Sequence, residues 1–173
     1  LMVPEAIGDT FSAWDNGTLD SYLTEISAKV AKATDPKTGQ PMLDVIVDAA
    51  GQKGTGRWTV IEAQHLATPI PAIDAAVVAR NLSSQLDKRA QGEALFGAAP
   101  LPITDISLDD LEGALIAGKI ICYAQGYEMM RKASDQFGWT LPLPDIARVW
   151  REGCIIRSKM LNDMADALTN DAG

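Results

Sequence analysis

Along most of the chain, apolar residues recur three and four positions apart, and nowhere does a strict two-residue alternation hold over a long window. That spacing confines the chain to helices. In "TLDSYLTEISAKVAKA", from Thr18, residues Leu19, Tyr22, Leu23, Ile26 and Val30 fall on one helical face, with Thr18 placed to cap the first turn. The segment stops at "DPKTGQP", where Asp35 precedes a proline and Gly39 can supply a positive φ. "MLDVIVDAA" is too short for periodicity to separate strand from helix, and its helical company favours a helix.

After a glycine-rich loop, "RWTVIEAQHLA" resumes helical spacing through Trp58, Ile61 and Leu66 and ends at "TPIP". "AIDAAVVARNLSSQLDKRAQGEAL" reads as one longer helix and "GAAPLPITD" as a loop. Ser107, with Asp110 three residues on, opens a helix through "LDDLEGALIAGKIICYAQGYEMMRKASDQF", which Gly138 is placed to close. A last helix is expected from about Pro144 through "DIARVWREGCIIRSKMLNDMADAL". The expected fold class is all-α, in a single helical domain over residues 1–173. The opening leucine and the closing "NDAG" carry the expectation of a piece of something larger.

Composition narrows the functions. At 173 residues and 47% apolar content, one core is the default; a formal net charge of −8 gives no broad footprint for nucleic acid or anionic lipid. Any anionic ligand must then be held by a local cluster. Cys122 and Cys154 stand in no metal-like spacing and read as small buried hydrophobes of a reduced, cytoplasmic protein. No apolar run is long enough to span a bilayer, and the N-terminal text lacks the features of a signal peptide. The expectations are no nucleic acid, no membrane and no metal.

One stretch answers to an anion. In "DAAGQKGTGRWT", Gly51 and Gly56 have the first spacing of a P-loop, but Arg57 and Trp58 stand where its lysine and Ser/Thr should be, so the magnesium-binding hydroxyl is missing. G-x-G-x-x-G fails as well. From Ala49 to Ile61 there is no acid, in a chain with 23 of them, which leaves Lys53 and Arg57 locally uncompensated. Glycines allow close backbone approach, and a helix beginning here would aim unpaired N–H groups and a partial positive charge at a ligand. The residues alone therefore point to a phosphate or carboxylate at a helix N-terminus, against the alternative of a tight connection with solvated charges.

The run Ile46 to Trp58, "IVDAAGQKGTGRW", resembles the signature of the 6-phosphogluconate dehydrogenases. "TFSAW", "LDSYLTEI", "AVVARNLSS", "KIICYAQGYEMMRKAS", "FGWTL" and "WREGCIIRS" resemble the same family in order and spacing. The resemblance covers essentially the whole chain. It implies an NADP-dependent enzyme of the pentose phosphate pathway that oxidises 6-phosphogluconate to a 3-keto acid, which loses carbon dioxide to give ribulose 5-phosphate without a metal. It implies a homodimer, and it implies that the substrate phosphate is held in part by Lys53, Thr55 and Arg80. For Arg80 the alternative is a surface arginine paired with a neighbour such as Asp87.

By the same resemblance, the NADP-binding Rossmann domain, the general-base lysine and the general-acid glutamate lie before Leu1, and a phosphate-binding tail lies beyond Gly173. No catalytic residue is therefore expected in this chain, and residues 1–173 alone should not reduce NADP. A second reading takes the chain as a non-catalytic helical module that supplies a dimer interface. His65, the single histidine, has no evident partner and reads as structural or surface. Met129 and Met130 read as helix packing, and Trp14, Trp58, Trp139 and Trp150 as core or interface.

Overall fold

The structure, a computed structural model, describes residues 2–97 and 105–170. In chain order the helices are α1 (Pro4–Asp15), α2 (Tyr22–Lys32), α3 (Met42–Val45), α4 (Thr55–His65), α5 (Pro71–Ser83), α6 (Leu86–Phe96), α7 (Leu108–Phe137), α8 (Leu143–Trp150) and α9 (Met160–Asn170). Among the described residues, extended pairing is limited to isolated bridges between Ser21 and Ser158 and between Thr34 and Pro41. The all-α expectation holds. Most of the expected "GAAPLPITD" loop, residues 98–104, lies outside the described residues.

Four expected boundaries are corrected. The second helix begins at Tyr22, and its cap is Ser21: Ser21 Oγ accepts from Thr24 N at 3.3 Å. Thr18 does not cap it, because the helix starts four residues later and the Thr24 amide is taken by Ser21 Oγ. Lys159 N donates to Asp20 O at 2.9 Å and Tyr22 N to Arg157 O at 3.0 Å. "MLDVIVDAA" yields only the single turn α3, after which Ile46 turns extended. The expected helix from Ala72 to Leu95 is two helices, α5 and α6. Ser84 Oγ donates to Asn81 O at 2.8 Å and Gln85 takes φ −93°, ψ 59°, the side-chain competition with the backbone that serines offer at helix ends. The expected last helix is likewise split into α8 and α9, at a turn where Gly153 has φ +69°. The long α7 and its closure are as read: Gly138 has φ +67° and Trp139 N returns to Ser134 O at 2.8 Å.

The chain divides into two compact units, Leu1–Ile46 with Leu108–Ile116 and Leu141–Gly173, and Val47–Ser107 with Ala117–Thr140. In the first unit, α1 packs on α2 and α8 on α9. Its buried residues include Trp14, Leu19, Ala28, Ala31, Leu143, Ala147, Met160, Leu161 and Ala165, and Phe11 meets Trp14 edge-on at 5.3 Å. Glu25 ties α2 to the segment before α9 through Arg157 at 2.7 Å. The Lys29 ammonium and then the Arg157 guanidinium hold its carboxyl below the usual range.

The α2 face is not the one its large residues suggest. Thr24, Ala28 and Ala31 are buried, while Leu23 is half-exposed and Tyr22 and Ile26 are also exposed. Small residues let α1 and α2 approach closely, and a Cβ placed at Gly8 would sit 2.4 Å from Lys32 Cγ. Ala31→Leu is therefore expected to overpack this contact and to cost about 1–3 kcal/mol. A chemical-denaturation midpoint unchanged from wild type would contradict the packing.

In the second unit, α4 and α5 pack together. Gly56 permits their approach, since a Cβ there would lie 3.1 Å from Val77 Cγ2. Helix α5 starts on Pro71, and its free amides at Ala72 and Ile73 donate to Gln125 Oε1 of α7 at 3.1 and 3.2 Å. A side chain from a distant helix thus supplies the cap that no local residue provides.

Candidate functional site

The glycine loop runs from Asp48 to Gly54, all within the second unit, and leads straight into α4. Gly54 has φ +111°, a conformation open to glycine alone at low cost, and it turns the chain so that Thr55 becomes the first helical residue. No side chain caps α4, so the amides of its first turn are left without intrahelical acceptors. The helix of 11 residues directs their partial positive charge toward the loop.

The loop is held along its length by the end of α5 and the start of α6. Arg89 Nη2 pairs with Asp48 Oδ2 at 2.5 Å, while Arg89 Nη1 donates to Asp48 O at 2.8 Å and Ser83 O at 3.1 Å. Ala50 N donates to Ser83 Oγ at 3.2 Å. Arg80 Nε donates to Gly51 O at 2.9 Å, and Gln52 Nε2 donates to Asn81 Oδ1. Four loop residues are thus engaged by four residues of the "ARNLSS" text and the helix beyond it.

Of the three residues expected at the site, Lys53 and Thr55 flank Gly54, and Arg80 reaches the same loop through Gly51. Arg80 is not paired with Asp87, the alternative considered for it. Lys53, Thr55 and Arg80 are all exposed, and Arg80 spends only Nε on the loop. The loop's own carboxylate, Asp48, is matched by Arg89, so it does not offset the loop's cations. Chemically the arrangement offers an ammonium, a hydroxyl, a guanidinium edge and free helix amides around one short loop, a donor set suited to an oxyanion.

Sequence reasoning missed Arg89, Ser83, Asn81 and Gln52. The serine pair after Arg80 was the available signal, because serines at a helix end offer side-chain hydrogen bonds. The Asp48–Arg89 pair spans 41 positions and has no local signature.

Other singled-out residues take bland places. His65 does have a carboxylate neighbour, Glu62, at 3.6 Å, and both are exposed on α4, which supports the surface reading. Cys122 and Cys154 are free and half-buried rather than fully buried, and Cys154 Sγ donates to Trp150 O at 3.1 Å. Trp14 is core, whereas Trp58 and Trp139 are exposed. Met129 and Met130 are half-buried in α7. Among the described residues, no group of three or more His, Cys, Asp and Glu side chains could hold a metal, and no helix is long and apolar enough to cross a membrane.

Among the described residues the elements are helices without named strands, and a basic glycine loop leads into the start of one of them, which defines the class as all-helical with a candidate oxyanion site. The chain belongs to the 6-phosphogluconate dehydrogenase C-terminal domain family, whose sequence model matches residues 1–173. The chain is 44% identical over 172 residues to the decarboxylating 6-phosphogluconate dehydrogenase of Schizosaccharomyces pombe, a match covering 96% of this chain and 34% of the relative. It is 42% identical over 167 residues to that of Candida albicans, covering 93% and 32%. Its fold is similar to that of Plasmodium falciparum 6-phosphogluconate dehydrogenase, with a TM-score of 0.88 and 38% identity over 98% of this chain and 38% of the other. That protein was solved in its apo form, with its cofactor NADP+ and with its substrate 6-phosphogluconate. The chain spans about a third of the length of the curated relatives it matches.

Proposed function

We propose that residues 1–173 form part of the helical substrate domain of a decarboxylating 6-phosphogluconate dehydrogenase, and that Lys53, Thr55 and Arg80 hold the substrate's phosphate. The whole protein would oxidise 6-phosphogluconate with NADP and release carbon dioxide to give ribulose 5-phosphate, as a cytoplasmic homodimer. The names of the relatives support the reaction, and the hydrogen bond from Arg80 to Gly51 O supports the site. It sets a guanidinium beside the loop that carries Lys53, with both Nη atoms left to meet phosphate oxygens.

The part of this chain would be anchoring. NADP would be held mainly by residues outside it, and the reacting carbons would be oriented by binding energy drawn from the remote phosphate. In the dimer, the half-exposed Tyr22, Leu23 and Ile26 of α2 favour a covered apolar face, which keeps a helical dimerisation role alongside the substrate role.

Titrating the chain with inorganic phosphate tests the site directly. Amide NMR shifts should concentrate at Gly51–Gly56 and weaken as salt is added, because an exposed anion is screened. Shifts absent from the loop, or unchanged in Lys53→Ala with Arg80→Ala, would remove the assignment.

A further inference from the structure

The clamp that holds the loop is more extensive than the three phosphate-facing residues require. Arg89 contacts the loop's first residue in two ways, through the Asp48 carboxylate and the Asp48 carbonyl, and it reaches Ser83 O at the end of α5 with the same nitrogen that meets the Asp48 carbonyl. Ser83 in turn takes the Ala50 amide through its hydroxyl. The planar guanidinium therefore joins the start of the loop to the end of the helix that carries Arg80, three residues before Ser83.

We propose that Arg89 is a positioning residue for substrate: by fixing Asp48 against the α5 terminus, it sets the distance between the loop that bears Lys53 and Thr55 and the helix that bears Arg80. This rests on the phosphate-site reading above. Three features carry it. The glycines at 51 and 54 leave the loop with little stiffness of its own. Packed side chains supply little of that stiffness, because Ala49 and Gln52 are half-buried and Asp48, Ala50, Gly51 and Lys53 are exposed, with only Gly54 buried, beside Trp58. The hydrogen bonds from the α5 and α6 side are thus what define the loop's path. Asp48 and Arg89 are both well exposed, so their ion pair adds little to global stability, and its value lies in geometry.

Positioning differs from general support in what it changes. Loosening the clamp should leave the reacting carbons and the cofactor site intact, so the effect falls on capture of the sugar phosphate. It should also depend on Lys53, because a displaced lysine and a deleted lysine are alike to the phosphate.

The test uses the full-length enzyme and steady-state kinetics for both substrates, with hydrogen exchange of the loop peptide read by mass spectrometry. Arg89→Ala should raise KM for 6-phosphogluconate roughly threefold to tenfold, with KM for NADP unchanged and loop exchange faster. Arg89→Lys should recover part of that loss, since an ammonium can meet Asp48 but not all three acceptors at once. Asp48→Asn, which keeps both carbonyl contacts, should be milder than Arg89→Ala and serves if that variant folds poorly. Adding Arg89→Ala to Lys53→Ala should raise KM little beyond Lys53→Ala alone.

If Lys53→Ala raises KM for 6-phosphogluconate while neither Arg89→Ala nor Asp48→Asn does, the positioning role is overturned and the phosphate site stands. If the effects of Lys53→Ala and Arg89→Ala simply multiply, the positioning role is also overturned. If Lys53→Ala and Arg80→Ala both leave KM unchanged, the phosphate site falls and takes this proposal with it.

Discussion

In the full-length enzyme, Lys53→Ala and Arg80→Ala are each expected to raise KM for 6-phosphogluconate by roughly tenfold to a hundredfold, the loss of about 1.5–3 kcal/mol in one charge-assisted contact. KM for NADP should stay near its original value, because neither side chain is proposed to meet the cofactor. The two variants should differ in one respect. Lys53 is exposed and lies in the loop itself, so its removal deletes a charge and little else. Arg80 also holds Gly51 O, so its removal frees the loop as well as losing the guanidinium. Arg80→Lys separates these effects. A lysine can restore charge, but it cannot keep the Gly51 bond and present two nitrogens to a phosphate at once, so it should recover only part of the affinity. Steady-state kinetics with each substrate varied checks the set. An unchanged KM for 6-phosphogluconate in both alanine variants would end the assignment.

What could be read from the sequence follows the range of the interactions involved. Helical class and the closing of α7 at Gly138 were legible because both are local: one is a spacing, the other a residue tolerant of φ +67°. The breaks after Ser83 and Trp150 were not, although Gly153 was in plain view. Beside the local turns, each break has bonds to distant chain, Ala50 N to Ser83 Oγ in one case and the segment Arg157 to Lys159 against Asp20 to Tyr22 in the other. The residues that α2 buries were not legible for a different reason. Apolar spacing put Tyr22, Leu23 and Ile26 on one face, whereas the residues buried in α2 are the smaller Thr24, Ala28 and Ala31.

The site divides in the same manner. Lys53 and Thr55 could be proposed from glycine spacing, local charge and an expected helix start, all within a few residues. Arg80 entered only through the family resemblance, and nothing in its own neighbourhood linked it to the loop 29 positions earlier. Arg89, tied to Asp48 across 41 positions, was beyond either route. Local chemistry thus suggested a ligand class, and the structure shows which residues brace the loop proposed to hold it.

Leu161→Ala is expected to be the most destabilising single truncation considered, because Leu161 is 0% exposed and is one of the two largest fully buried side chains. It sits in the first turn of α9, which packs with α8, and Leu143 and Ala147 of α8 and Met160 and Ala165 of α9 are also buried. The small neighbours are decisive. Alanines at 147 and 165 have no side-chain freedom with which to move into a void, so the removed methyl groups would leave a cavity rather than a collapse. Transfer and cavity terms together put the loss at about 2–5 kcal/mol. The backbone should be undisturbed, since Leu161 N reaches Ser158 O through the main chain and alanine favours a helix. Val149→Ala provides the control: Val149 lies on α8 in the same unit but is 72% exposed, and its truncation should stay within about 0.5 kcal/mol. Urea denaturation followed by far-ultraviolet circular dichroism compares the two. A Leu161→Ala midpoint no lower than that of Val149→Ala would mean that α8 and α9 do not share the core described here.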